Sequence, residues 1–202
     1  MSQYFQVSKS DNNYAVLYYT VDRPLYSEQV DMVLNDLQDF VARYAKSSKL
    51  TNTWWQLFDS ISHDGYGSFV LDFELGILDL DEKTQSEIYY EIMDIINCGD
   101  FMCAMNSWIS IEEDHDYALQ CFEEGELVST YVNSVLDCGY NLNERDIVET
   151  LTYNFDADDQ EKIRQEVREE LLLKKIEFPN RIKLHEQHLE KNDFETLLTR
   201  DI

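Results

Sequence analysis

The triplet Asp81-Glu82-Lys83 has the acid-x-Lys spacing with which magnesium-dependent nucleases hold a metal ion and polarise an attacking water. A second acid, Asp64 or Asp72, would come from the preceding strand or loop. A metal-dependent phosphodiesterase is therefore one reading of the chain. Such triplets recur by chance, however, and Asp81 also stands where a helix should begin, where acids complement the helix dipole. The other candidates are thinner. His63-Asp64-Gly65 resembles a fragment of a metal site, but a metal hydrolase needs more His and Asp ligands, and only His115, His185 and His188 remain. A solvated turn is the simpler expectation. His185 and His188 stand at i, i+3 in HEQH, one residue short of the H-E-x-x-H zinc spacing, with no third ligand nearby. Both are expected on the surface. Glu112-Glu113-Asp114-His115-Asp116 is the densest acidic cluster, yet it lacks the D-x-[DN]-x-[DN]-G spacing of a calcium loop. Gly65-Tyr66-Gly67-Ser68 comes closest to a phosphate loop and has no lysine. The chain contains no G-x-S-x-G and no G-x-G-x-x-G. Cys98, Cys103, Cys121 and Cys138 form no C-x-x-C pair and lie in apolar or small-residue contexts, so buried, reduced thiols are expected. No motif names a reaction. The expectation is a non-enzyme with no cofactor and no metal.

The elements that position these residues follow from periodicity. Residues 3–8 and 14–21 predict two strands joined by the turn-prone KSDNN. A helix follows, with Ser27 as its cap and Val30, Val33, Leu34, Leu37, Phe40, Val41 and Tyr44 at helical spacing. Trp54, Trp55, Leu57 and Phe58 form a short apolar segment that ends in the loop SHDGYGS. Over 68–78, Phe69, Leu71, Phe73, Leu75 and Ile77 alternate with Asp72 and Glu74, which predicts a half-buried strand with an acidic outer face. A helix is expected over 83–97, a strand over 101–111, helices over 116–123 and 126–138, and another capped by Asn143. Asp156 can cap a helix through DQEKIRQEVREELLLKK that stops at Pro179, with a second helix over about 180–190. The fold class is α+β: a small antiparallel sheet packed with several helices, plus a C-terminal helical arm. Residues 1–155 read as an acidic core domain and 156–202 as the arm. The arm would pack on the core or on a second copy of the chain, which makes a homodimer an option.

Charge is the most informative signal. The 202 residues hold 41 Asp+Glu against 16 Lys+Arg, a net charge of −25. From Leu50 to Glu144 there are 20 acids and one base, Lys83, so this segment carries −19 of the total. Aromatic residues make up 13% of the chain and apolar residues 44%, enough for a sizeable core, so disorder is not expected. Direct binding to nucleic acid or to an anionic membrane needs clustered Lys/Arg and is not expected either. The N-terminal MSQYFQVSKSDNNY shows no leader pattern, and no apolar run reaches membrane-spanning length, so a cytoplasmic protein is expected.

Nineteen negative charges match those of roughly 32 Å of duplex DNA, about one helical turn, at one charge per ~1.7 Å. A domain of this size is about 40 Å across. The acids expected to form a partner-binding face are Asp72, Glu74, Asp79, Asp81, Glu82, Glu87, Glu91, Asp94, Glu112, Glu113, Asp114, Asp116, Glu123, Glu124 and Glu126. Tyr66, Phe73, Tyr89, Tyr90, Trp108 and Tyr117 interleave with them and can anchor an interface. The leading expectation is an acidic inhibitor that occupies the basic nucleic-acid groove of a DNA- or RNA-handling protein. Anti-restriction and anti-CRISPR proteins use this charge logic in host–virus conflict. The alternative is an immunity protein or antitoxin that neutralises one cognate toxin, often a basic nuclease. The plain alternative is a solvated, solubility-promoting surface.

Overall fold

The structure is a computed structural model, and it describes residues 3–21, 23, 25–65 and 67–185. The class is α+β: among the described residues there are eight helices, a four-stranded antiparallel sheet and a two-stranded parallel pair. The chain divides into two compact units, residues 1–106 and 107–202.

In the first unit, β1 (Gln6–Val7) and β2 (Tyr14–Thr20) form the expected hairpin. The Ser8 amide donates to the Tyr14 carbonyl at 2.8 Å, and Asp11 Oδ1 accepts from the Asn13 amide at 2.9 Å inside the turn. Then come α1 (Ser27–Tyr44), α2 (Lys49–Leu57), β3 (Phe58–His63), β4 (Ser68–Glu74), a 3-10 turn over Leu75–Asp79, and α3 (Glu82–Cys98). The sheet order is β1-β2-β4-β3, with Leu71 of β4 opposite Leu17 on one side and Ile61 on the other. The alternation read over 68–73 holds: Phe69, Leu71 and Phe73 are completely buried. It stops earlier than expected, because the strand ends at Glu74 and leaves Leu75 40% exposed at the start of the 3-10 turn. On α1, Val30, Val33, Leu37 and Val41 form the buried stripe; on α3, Ile88, Ile92 and Ile96 do the same.

Two local expectations change here. The segment around Trp54 is not a short apolar run entering a loop. Ser48 caps a helix there, its Oγ accepting from the Thr51 amide at 3.2 Å, and the following FDSISH pairs with β4. Residues 101–111 are not a strand either. They lie in α4 (Asp100–Glu113), within which the boundary between the units falls. Phe101, Met102 and Met105 are buried at helical spacing, and Asp36 Oδ2 accepts from the Phe101 amide at 3.4 Å, serving a donor that the first helical turn leaves unpaired.

The second unit contains α5 (His115–Glu123), α6 (Leu127–Asp137), β5 (Leu142–Asn143), α7 (Glu144–Thr152), α8 (Ala157–Glu177) and β6 (Ile182–Lys183). Its core joins Val128, Val132 and Val135 of α6, Ile147 and Leu151 of α7, and Ile163, Val167 and Leu171 of α8. The narrow apolar stripe of α8 is thus buried against α6 and α7. Asp156 caps α8 as expected, accepting from the Asp158 and Asp159 amides at 3.0 Å each. Arg168 Nη1 lies 2.8 and 2.6 Å from the two carboxylate oxygens of Glu144, a partly buried pair that ties α8 to α7. The helix expected over 180–190 is replaced, in its described part, by β6. The Leu142 amide donates to the Arg181 carbonyl at 2.8 Å, which draws the chain into a parallel pair with β5. Residues 186–190 and His188 lie outside the described residues, as does Tyr66.

The thiols do not share one environment, contrary to the expectation of four buried cysteines. Cys98 and Cys103 are exposed, near the end of α3 and the start of α4, whereas Cys121 and Cys138 are buried. Burial raises both buried thiols, Cys138 to about 12. Since the thiolate is the nucleophile, Cys98 and Cys103 should react with iodoacetamide at pH 8 at least ~10²-fold faster than Cys121 and Cys138. Peptide mapping of the alkylated native protein checks this; uniform labelling of all four would contradict the burial assigned to α5 and α6.

Candidate partner-binding interface

The fifteen acids do not fall into one set. Eight belong to the first unit (Asp72 through Asp94) and seven to the second (Glu112 through Glu126). In the first unit, Asp72 faces β3 and is half-buried, with Ser60 Oγ donating to its Oδ2 at 3.2 Å. Burial outweighs that bond and raises the Asp72 carboxyl above its ordinary range. Glu74 and Asp79 are exposed at the two ends of the turn after β4. Asp81 caps α3, accepting from the Thr84 hydroxyl at 2.6 Å and the Thr84 amide at 3.0 Å. Those bonds hold its carboxyl below the usual range. Glu82 is exposed in the first turn of the same helix.

Glu87, Glu91 and Asp94 follow at i, i+4 and i+7, on one face of α3. Glu87 is exposed and lies 3.6 Å from Lys83 Nζ, a solvated i, i+4 pair. Glu91 is different in kind. Its Oε1 accepts from the Thr51 hydroxyl and, at 3.3 Å, from Trp54 Nε1, so it serves the buried polar edge of α2. Glu112 has the matching role in the second unit: its Oε1 accepts from Trp108 Nε1 at 2.6 Å and from the Tyr131 hydroxyl at 2.9 Å. Burial, followed by the adjacent Glu112 charge, raises the Tyr131 phenol far above its ordinary value. These two acids hold the interior together as well as adding charge.

The remaining acids of the second unit are exposed, and helix geometry separates them. Asp114 caps α5, accepting from the Asp116 and Tyr117 amides at 3.0 and 3.2 Å, and Asp116 sits in the first turn. Negative charge is favourable at those positions. Glu113 ends α4, Glu123 ends α5, and Glu124 is the C-cap of α5. There the macrodipole opposes a carboxylate, by about 0.3–1 kcal/mol each at exposed sites. Local helix stability therefore accounts for Asp81, Glu82, Asp114 and Asp116, and Glu124 accepts from Gln120 Nε2 at 3.0 Å, but it does not account for Glu123. Glu126 precedes α6 as its N-cap and makes no side-chain cap bond.

Each unit also carries a concave surface. In the first, α1 and α3 flank a groove of about 740 Å³ whose rims include Asp36, Asp39, Glu87, Glu91, Asp94 and Asp100. Its floor is apolar and aromatic, with Phe40, Tyr44 and Tyr90. In the second, a cavity of about 510 Å³ is lined by Glu112, Glu113, His115, Asp146, Glu149 and Tyr153. Asp36, Asp39, Asp146 and Glu149 were missed in the sequence because they lie outside the base-poor segment, or join it only through tertiary packing. Burial raises the Asp36 carboxyl, against the lowering effect of the amide bond from Phe101.

The other candidates are engaged locally. His63 Nδ1 accepts from the Gly65 amide at 3.1 Å, and Asp64 Oδ1 accepts from the Ser68 amide at 3.2 Å, which closes the β3–β4 turn. His185 is exposed, its amide donating to Glu144 Oε2 at 2.7 Å. Asp64, Asp72 and Asp81 thus each have a separate structural task. Among the described residues no three His, Cys, Asp or Glu side chains are grouped to hold a metal ion, and no helix is long and apolar enough to cross a membrane.

Fold and site together define an α+β protein whose two compact units each carry a carboxylate-lined concavity. No protein-family model, curated protein or solved structure matches the chain.

Proposed function

We propose that this chain is a non-enzymatic inhibitor that binds the basic nucleic-acid groove of a DNA- or RNA-handling protein, its carboxylates standing where phosphates would lie. The observation that carries this reading is the set of exposed acids that local structure does not require. Glu74, Asp79 and Glu123 are exposed, and Glu123 opposes a helix dipole, in a stretch of sequence with Lys83 as its one base. Such a surface repels itself and weakens the fold, while a cationic partner is drawn to it at long range and released by salt.

The test is an affinity capture from lysate at low salt and at ~0.5 M salt, where charge contacts are strongly screened. Captured proteins are identified by mass spectrometry, and competing duplex is added in a parallel arm. The expected result is a DNA- or RNA-handling protein released by both salt and duplex. A partner that resists both would overturn mimicry. It would favour the second reading, an immunity protein or antitoxin, which the apolar floor of the α1–α3 groove also suits because it offers shape as well as charge.

A further inference from the structure

The groove between α1 and α3 has features that phosphate mimicry does not use. A phosphate mimic needs carboxylates spread over a surface, and charge mimicry alone does not require a concave aromatic surface between them. Tyr44 and Tyr90 nevertheless stand 48% and 57% exposed in this groove. Phe40 is half-buried beside them, its ring centroid 4.6 Å from that of Tyr44. Around this floor, Asp39, Glu87, Asp94 and Asp100 are all exposed, and Arg43 is the one base among the described residues that line it. Two of these acids, Glu87 and Asp94, share one face of α3 by their i, i+7 spacing, and Asp39 sits on α1, so carboxylates rim both sides. We infer that this groove docks a cationic amphipathic helix of a partner protein, with apolar side chains on the Phe40–Tyr44–Tyr90 floor and Lys or Arg on the two carboxylate rims.

Charge complementarity selects the occupant. An anionic or neutral helix would leave four carboxylates to be desolvated without partners, whereas Lys and Arg meet them and lay their methylene stems along the tyrosines. Length fits as well. The lining on α3 runs from Ser86 to Cys98, about 18 Å at 1.5 Å per residue, which accommodates roughly three turns of a docked helix. This is the helix-in-groove mode, with anchors at i, i+3, i+4 and i+7. It deepens the partner-binding reading and rests on its claim that the partner is basic, but not on competition with nucleic acid.

The probe is a fluorescein-labelled 14-residue amphipathic Lys/Leu helix, read by anisotropy at 0.15 M salt. Two control peptides carry Ser in place of every Leu, or Glu in place of every Lys. The Lys/Leu peptide should bind at least tenfold more tightly than either control. Tyr44→Ser with Tyr90→Ser, and separately Asp39→Asn with Asp94→Asn, should each weaken it at least tenfold. Glu166→Gln with Glu169→Gln removes the same charge from exposed positions of the other unit and should change binding less than twofold. A second readout needs no variant. Cys98 lines the groove and Cys103 does not, so the bound peptide should slow alkylation of Cys98 at least fivefold and leave Cys103 unchanged. Equal binding of the Lys/Ser peptide, equal loss from the Glu166/Glu169 pair, or unprotected Cys98 would each overturn the groove. Such a failure, alongside a captured partner that duplex still releases, would leave mimicry standing; the converse result would leave the groove standing and remove mimicry.

Discussion

Reversing Glu74, Asp79, Glu123 and Glu124 to Lys together is expected to abolish capture of the basic partner, while reversing Glu161, Glu166, Glu169 and Glu177 leaves it in place. All eight are exposed, and the two sets shift the net charge equally. Long-range steering through net charge is therefore matched, and only location differs. Each exposed pair contributes about 0–1 kcal/mol, so single reversals should stay within roughly fivefold. Four reversals turn attractions into repulsions, a change of roughly 2–4 kcal/mol, or about 30- to 1,000-fold in Kd. Unfolding is a poor explanation for such a loss. Lys at positions 123 and 124 places positive charge at the C-terminal end of α5, where the dipole favours it. Testing Glu74/Asp79 apart from Glu123/Glu124 then assigns the contact to a unit. Equal losses from both fourfold sets would show that net charge alone acts, and the acids of 72–126 would lose their claim to be a binding face.

Much of the fold was open to inspection in the sequence, and the misses have physical causes. The stripe on α1, the acids where α3 begins, the cap of Asp156 on α8 and the alternation through Phe73 are all local patterns, set by residues within a few positions of one another. FMCAMNSWISI misled because a short apolar run does not distinguish a buried helix from a strand. It is the packing of Phe101, Met102 and Met105, and the donor served by Asp36 from 65 positions away, that decides for α4. The 49–63 region hid both a helix and a strand because β3 is only half-buried and its Asp59 and Ser62 blur the alternation. The acids were legible as a composition but not as a site. Trp108 and Glu112, four apart on one helix, could have been paired from spacing alone; Trp54 and Glu91 are 37 apart, and only the fold brings them together.

That pairing leads to an expected reversal of sign within the acids themselves. Glu91→Ala should destabilise the first unit by about 2–4 kcal/mol, because it strands the completely buried Trp54 indole N–H and the buried Thr51 hydroxyl. Glu91→Gln keeps an acceptor and should cost about 1 kcal/mol. Glu112→Ala should act similarly on the second unit, through the bonds from Trp108 and Tyr131. Glu74→Ala and Glu123→Ala should instead be neutral or stabilise by up to about 0.5 kcal/mol, by easing repulsion in a chain of net charge −25 and, for Glu123, by relieving the dipole. Urea titration followed by hydrogen exchange and mass spectrometry reads these effects unit by unit, since peptides from 1–106 and from 107–202 are resolved separately. Loss of stability from Glu74→Ala as large as that from Glu91→Ala would mean that the exposed acids are held by the fold. A surface kept for a partner requires the opposite: acids that the fold tolerates at a cost, beside two that it cannot do without.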